Sequence, residues 1–227
     1  MRERVLGTLT IGQAPRRDVI PIIDRHVPAA VRRIHRGVLD GLSRAEIDAR
    51  YRAEPGEAAL ITRLLDGTSL NLSRRRMQDG VRHALAALEA EGCDVILLLC
   101  TGSFDGLECH KAWLIEPDHI IPGLVAGLVE RRQLGVIVPI EGQIESESDK
   151  WLGLALPPLF AAASPYADAT EVLVTAGAAL KARGAAAILL DCIGFTERHR
   201  DALSGLGLPV ILSNAVVAKA VGELFGF

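Results

Sequence analysis

The sequence predicts an α/β protein of two pseudo-symmetric lobes, each a doubly wound parallel sheet flanked by helices, with an active-site cleft between them. Three observations carry this reading. Residues 84–102 and 176–194 coincide without a gap at a spacing of 92, matching Ala84/Ala176, Leu88/Leu180, Gly92/Gly184, Ile96/Ile188, Cys100/Cys192 and Gly102/Gly194 among others. In both copies a helical stretch stops at glycine and a continuous aliphatic run follows, as expected of a central parallel strand covered on both faces. A chain of 227 residues also suits two lobes of roughly 110 residues each.

Taken in order, Val5 to Ile11 reads as a buried strand closed by a loop carrying Gly12-Gln13-Ala14-Pro15, with a helix from near Arg16. Val31 to Leu39 suits a second strand, and Ser43-Arg-Ala-Glu46 has the form of a capping box opening a short helix. Ala59 to Leu65 and Ser69 to Leu72 flank Asp66-Gly67, which predicts a tight hairpin without a counterpart in the second half. Ser73 is a candidate N-cap for a helix to Glu91 stopped by Gly92, and Asp94 to Leu99 is the strand that ends at Cys100. A helix over 120–132 then leads to the strand Leu134 to Val138, which repeats the Leu-Gly of Leu6-Gly7 and is followed by Gly142-Gln143.

The second copy has a helix from Thr170 to Arg183, Gly184, the strand Ala186 to Leu190, and Cys192 at its tip. Pro209 to Leu212 is the last strand, ending in Ser213-Asn214 before a C-terminal amphipathic helix. These spacings assign residues 1–115, with an inserted hairpin at about 57–73, to an N-terminal lobe completed by the strand and helix of 208–227. Residues 116–207 form the C-terminal lobe.

Composition narrows the function classes. Hydrophobic residues make up 49% and charged residues 23%, the mean hydropathy is +0.27, and no uninterrupted apolar run reaches the ~18 residues of a membrane span. The apolar run after Met1-Arg2-Glu3-Arg4 is too short for a signal peptide, so a cytoplasmic location is expected. A formal charge of −3 gives no general reason to bind nucleic acid, and the clusters Arg74-Arg75-Arg76 and Arg198-His199-Arg200 read as solvated helix faces. Four cysteines without a C-x-x-C pair imply reduced thiols. Cys109-His110 with His119 and Cys100 fits no structural zinc spacing, so no metal is assigned. Without G-x-G-x-x-G, a Walker lysine or G-x-S-x-G, no cofactor is expected either.

Ligands of open parallel sheets bind beyond the carboxyl ends of the strands. The reactive or polar clusters of this chain fall at such ends: Gly12-Gln13, Cys100-Thr101-Gly102-Ser103, Gly142-Gln143, Cys192-Ile193-Gly194-Phe195 and Ser213-Asn214. A buried cysteine at a strand end is often only a small apolar residue. Two at equivalent positions favour chemistry, whereas Cys93 and Cys109 lack such partners and read as packing or surface residues. Opposed thiols suit proton transfer at a stereogenic carbon: a thiolate removes the hydrogen beside a carboxylate and a thiol on the other face returns one. Donors for the developing charge are backbone N–H groups near Gly102 and Gly194 with the side chains of Thr101, Ser103, Gln13 and Asn214. Sequence alone places no cation there.

Over nearly its whole length the chain also resembles the AroM family. The likeness lies in Leu6 to Arg16 (LGTLTIGQAPR), Leu72-Ser73-Arg74-Arg75, Asp94 to Leu98, Gly135 to Pro139, Leu190 to Phe195 with Arg198-His199-Arg200, Leu208-Pro209-Val210 and Leu212-Ser213-Asn214. More distantly, the paired-thiol layout is similar to the aspartate/glutamate racemase superfamily, which includes hydantoin racemases, maleate cis-trans isomerases and arylmalonate decarboxylases. That resemblance implies Cys100 and Cys192 as catalytic positions, a cofactor-independent reaction on a small carboxylate, and self-association into a homo-oligomer. Gly12-Gln13 departs from the acidic and hydroxyl pair of amino-acid racemases, which argues against an amino-acid substrate. Alternatives are a decarboxylase or cis-trans isomerase using one cysteine, and a non-catalytic carboxylate-binding protein.

Overall fold

The computed structural model describes residues 2–167 and 169–226. The chain divides into two compact units, one running to Glu116 and taking up the chain again from Ala218, the other spanning Pro117–Val217.

In the first unit β1 (Val5–Thr10) is followed by α1 (Ile20–Asp24), β2 (Arg32–Gly37) and α2 (Arg44–Tyr51). The helix expected near Arg16 starts four residues later, because the Arg16 carbonyl accepts from both Val19 and Ile20 N–H in a turn that must finish first. Ser43 and Glu46 cap α2 reciprocally, Ser43 N–H donating to Glu46 Oε2 at 2.8 Å and Glu46 N–H to Ser43 Oγ at 3.4 Å. The strands β3 (Ala59–Arg63) and β4 (Ser69–Ser73) pair antiparallel. Their connection is longer than a two-residue turn: Leu64 N–H donates to Thr68 O, Asp66 Oδ1 accepts from Thr68 N–H, and Gly67 takes φ 91°.

Next come α3 (Arg74–Ala90), β5 (Val95–Leu99) and β6 (Trp113–Ile115). Met77, Val81, Ala84, Leu85 and Leu88 form the buried stripe of α3, each large side chain contributing about 1.5–3 kcal/mol by leaving water. Ser73 Oγ accepts from Arg76 N–H at the start of α3, and Gly92 leaves its end with φ 84°. The parallel sheet runs β2-β1-β5-β6. All residues of β1 and β5 are buried, and Gly7 stands opposite Ile96 across the pair.

The second unit contains α4 (Pro117–Val129), β7 (Leu134–Val138), α5 (Gly142–Ser146), β8 (Leu159–Ala162), α6 (Glu171–Ala182), β9 (Ala187–Leu190), α7 (Glu197–Ala202), β10 (Val210–Leu212) and the start of α8 (Ser213–Glu223). Its parallel sheet runs β10-β9-β7-β8, and Gly135 of β7 stands opposite Ile188 of β9. The strand of Pro209–Leu212, expected to complete the first lobe, therefore belongs to the second sheet, where Val210, Ile211 and Leu212 pair with Ile188, Leu189 and Leu190. From Ala218 the chain returns to the first unit. Gly222 lies against His26, where a Cβ would come within 2.5 Å of the His26 carbonyl oxygen, and Arg4 lies 5.2 Å from the Phe225 ring.

Among the described residues no helix is long and apolar enough to cross a membrane.

Candidate functional site

The loop after β1 is fixed by groups from three directions. Leu39 N–H donates to Gly12 O at 3.1 Å, Ala14 N–H to Asp40 Oδ1 at 2.8 Å, and Leu65 N–H of the hairpin to Gln13 Oε1 at 3.0 Å. Side chains are excluded where the segments meet: a Cβ on Gly12 would lie 2.3 Å from Thr62 Oγ1, and one on Gly37 only 2.4 Å from Gly12 O. The Gly12 N–H donates to Thr10 Oγ1, so it is not aimed at a ligand. Gln13 keeps its amide hydrogens as donors, because its one described bond uses the oxygen.

Beyond β5, Cys100 is 8% exposed and Thr101 7% exposed, with Gly102 buried beside them. Three side chains spaced four apart on α3 hold the following loop. Arg74 Nη1 donates to Ser103 Oγ at 3.1 Å, Gln78 both donates to Asp105 O and accepts from Asp105 N–H, and Arg82 Nη2 donates to Asp105 O at 2.8 Å. Periodicity explains this, since residues four apart share one helix face. Arg74, read as part of a solvated face, is half-buried on this loop, whereas Arg75 and Arg76 pair with Glu57.

In the second unit, Gly142 opens α5 in an exposed position while Gln143 is buried, its N–H donating to Ile140 O at 3.0 Å. Cys192 follows β9, is 8% exposed, and its Sγ accepts from Gly194 N–H at 3.5 Å. Gly194 has no room for a side chain, since a Cβ would lie 2.7 Å from Tyr166 Oη. Asp191, directly before the cysteine, is 2% exposed; its Oδ2 lies 2.5 Å from Lys150 Nζ, and its Oδ1 accepts from Ser213 Oγ at 3.3 Å. Burial alone would lower the Lys150 pKa, but the charges of Asp191 and Glu147 outweigh it and hold the ammonium above its ordinary range.

Four residues stand differently from the sequence-based expectation here. Asn214 spends both its amide hydrogens inside the protein, on Ile193 O at 2.9 Å and on Phe195 O. Ser213 Oγ likewise donates inside the protein, to Leu190 O at 2.9 Å. Phe195, expected beside a cleft, is fully buried and packs edge-on to His199 with ring centroids 5.3 Å apart. His199 is itself buried rather than on a solvated face, and its Nδ1 accepts from Thr196 N–H at 2.9 Å. Burial first, then the Arg198 charge, holds its pKa below the usual histidine value against hydrogen bonds to the Pro165 and Thr196 backbone.

Cys93 and Cys109 are held as neutral thiols, each pushed up to about 11 by burial and then by a carboxylate, Glu91 or Glu89. The Cys93 sulfur fills the space above Gly7, where a Cβ would lie 2.8 Å from it. Of the residues that the sequence reading missed, only Asp191 left a signal: a carboxylate at the end of a buried strand requires a cation somewhere in the fold. Lys150 and Tyr166 lie on other elements and carry no such mark.

Parallel sheets of this order, with thiols and glycine-rich loops at their carboxyl ends, define an α/β protein of the racemase fold. The chain is similar to allantoin racemase from Pseudomonas fluorescens (14% identity, 97% of this chain and 89% of that one, TM-score 0.64). It is similar also to maleate isomerase from Pseudomonas putida S16 (13% identity, 98% and 93%, TM-score 0.64). A third such structure is glutamate racemase from Francisella tularensis in complex with D-glutamate (12% identity, 98% and 81%, TM-score 0.64). Residues 6–225 match the AroM protein family, and the chain belongs to it. No curated protein sequence matches the chain.

Proposed function

We propose that the protein is a cofactor-independent racemase or isomerase of a small carboxylate, with Cys100 and Cys192 as its acid/base pair. One observation carries the reading. Each cysteine stands four residues beyond an isoleucine that faces the glycine of its sheet's other inner strand, Ile96 opposite Gly7 and Ile188 opposite Gly135. The spacing of 92 thus falls on matching strand registers, which supports two lobes descended from one unit and two thiols with one role.

In the proposed reaction one cysteine, as thiolate, takes the hydrogen from the carbon beside the carboxylate. The other, as thiol, delivers a proton to the opposite face, so the centre inverts without redox change. The Gly194 N–H sets a donor at the Cys192 sulfur. Thr101 and Ser103 are the proposed donors to the substrate carboxylate, with Gly142 and Gln143 as further proposed binding residues.

Solvent-exchange kinetics in deuterium oxide test the reading. One enantiomer of each candidate acid is incubated with the protein, and both enantiomers are analysed for deuterium. Deuterium at the inverted centre is expected; absence of exchange with every small carboxylic acid tried removes the proposal.

A single-thiol reading has its own support, because the Cys192 sulfur accepts from Gly194 N–H and a buried ion pair stands beside it. There Cys192 is the only proton donor, as in decarboxylation, and the signature is loss of carbon dioxide with one deuterium incorporated.

A further inference from the structure

The first unit contains a cavity of about 410 Å³ that neither thiol lines, between the loop after β1 and the tip of the β3-β4 hairpin. That volume falls in the range of small-ligand sites. Its wall carries three guanidinium groups, Arg16, Arg17 and Arg63, against the carboxylates of Asp18 and Asp66.

The roles of these groups differ. Arg16 is 6% exposed and grips Asp18 through two parallel bonds, Nε to Oδ1 at 2.9 Å and Nη2 to Oδ2 at 2.7 Å, forming a rigid floor whose charges cancel. Burial alone would raise the Asp18 pKa; the Arg16 hydrogen bond and charge, with help from Arg63, hold it below its ordinary value, so the pair stays ionised at neutral pH. The Asp66 carboxylate is turned onto the Thr68 N–H at 2.8 Å. Arg63 uses Nε on Gly67 O at 3.1 Å, and Arg17 and Arg63 make no ion pair among the described residues. Three guanidinium groups against two carboxylates leave the pocket with one positive charge in excess. Gln13, fixed by Leu65 N–H at its oxygen, offers its amide hydrogens at the rim.

The hairpin gives the cavity its purpose. It forms one wall, it packs onto Gly12 so closely that no side chain fits there, and no antiparallel hairpin occurs in the second unit among the described residues. The geometry points to an oxyanion-binding site: a pocket for the carboxylate or phosphate group of a small molecule, read by Arg17, Arg63 and Gln13 over the Arg16–Asp18 floor. Guanidinium forks match both groups, since each presents paired acceptor oxygens in one plane.

Titration of the labelled protein by two-dimensional amide NMR at low salt tests this without requiring turnover, so loss of the proposed thiol chemistry would leave the result intact. Inorganic phosphate and succinate are the two probes. Saturable shifts are expected at the Leu65 amide and the Gln13 side-chain amide at millimolar concentration or below. Binding of phosphate alone assigns a phosphorylated ligand, and binding of succinate alone assigns a carboxylate.

Arg17→Gln and Arg63→Gln, both at exposed positions, should each weaken binding about tenfold, the loss expected for one charged hydrogen bond. Unchanged amide shifts elsewhere verify that these variants remain folded. No saturable shift with either probe, or equal affinity in the double variant, would overturn the site.

Discussion

The two cysteine loops are built on matching strands but secured by different chemistry. After Cys100 the chain is tied by long side chains reaching from one face of α3, Arg74, Gln78 and Arg82, and these bonds lie toward the surface. After Cys192 it is tied from within: Asn214 bonds two loop carbonyls, His199 caps Thr196, and a buried Lys150–Asp191 pair stands one residue away. Surface bonds exchange with water and give modestly, whereas a buried polar network fails at high cost when one member is lost. The difference assigns rigidity to the second loop and adjustability to the first.

The largest effect expected is on chemistry. Under the two-thiol reading, Cys100→Ser and Cys192→Ser should each reduce interconversion by about 10²–10⁴, measured as racemisation by polarimetry. If only Cys192→Ser does so, the loops differ in role as well as in build, and the single-thiol reading replaces the first.

Next in size are changes to the buried network. Lys150→Met leaves Asp191 and Glu147 buried without their cation, and should cost about 3–5 kcal/mol in urea unfolding. Asn214→Ala removes both clips from the Cys192 loop and strands the carbonyls of Ile193 and Phe195, at a cost of about 2–4 kcal/mol. Arg74→Ala, the counterpart on the other loop, should cost only about 1 kcal/mol, because the Ser103 hydroxyl it releases can turn to water. Equal costs for Asn214→Ala and Arg74→Ala would erase the distinction.

How much of this was legible in sequence follows from burial. The inner strands β1, β5, β7 and β9 are buried along their whole length, so each reads as an aliphatic run. The edge strands β6 and β8, only partly buried, carry no such run and went unread. The thiols were legible because they end the inner strands. Their supports were not: Lys150 meets Asp191 only through the fold, and His199 between two arginines has the sequence pattern of a solvated face while its ring is buried. Ser213-Asn214 was found by its position at a strand end, but its bonds to the Leu190, Ile193 and Phe195 carbonyls were not, because which carbonyls a side chain faces is a property of tertiary structure.

The last prediction separates the loops by pH. Lys150 has a folded pKa raised above its ordinary 10.5, so its stabilisation is complete below that value and lost only as pH rises through the folded one; it contributes no change near neutrality. His199 behaves oppositely. Its folded pKa lies below 6.5, so as pH falls the unfolded chain takes up a proton before the folded chain does, and the stabilisation present above 6.5 is lost as pH drops through the folded value. The Thr196 N–H bond to Nδ1 requires that nitrogen unprotonated, so the same proton breaks the cap on the Cys192 loop. Hydrogen-exchange protection of the amides of 193–196 should therefore fall as pH drops below 6.5, while that of 101–105, held by arginine and glutamine, stays constant. His199→Gln should remove the pH dependence. Equal acid sensitivity of both segments would show that the loops share one response and that the buried histidine does not set it.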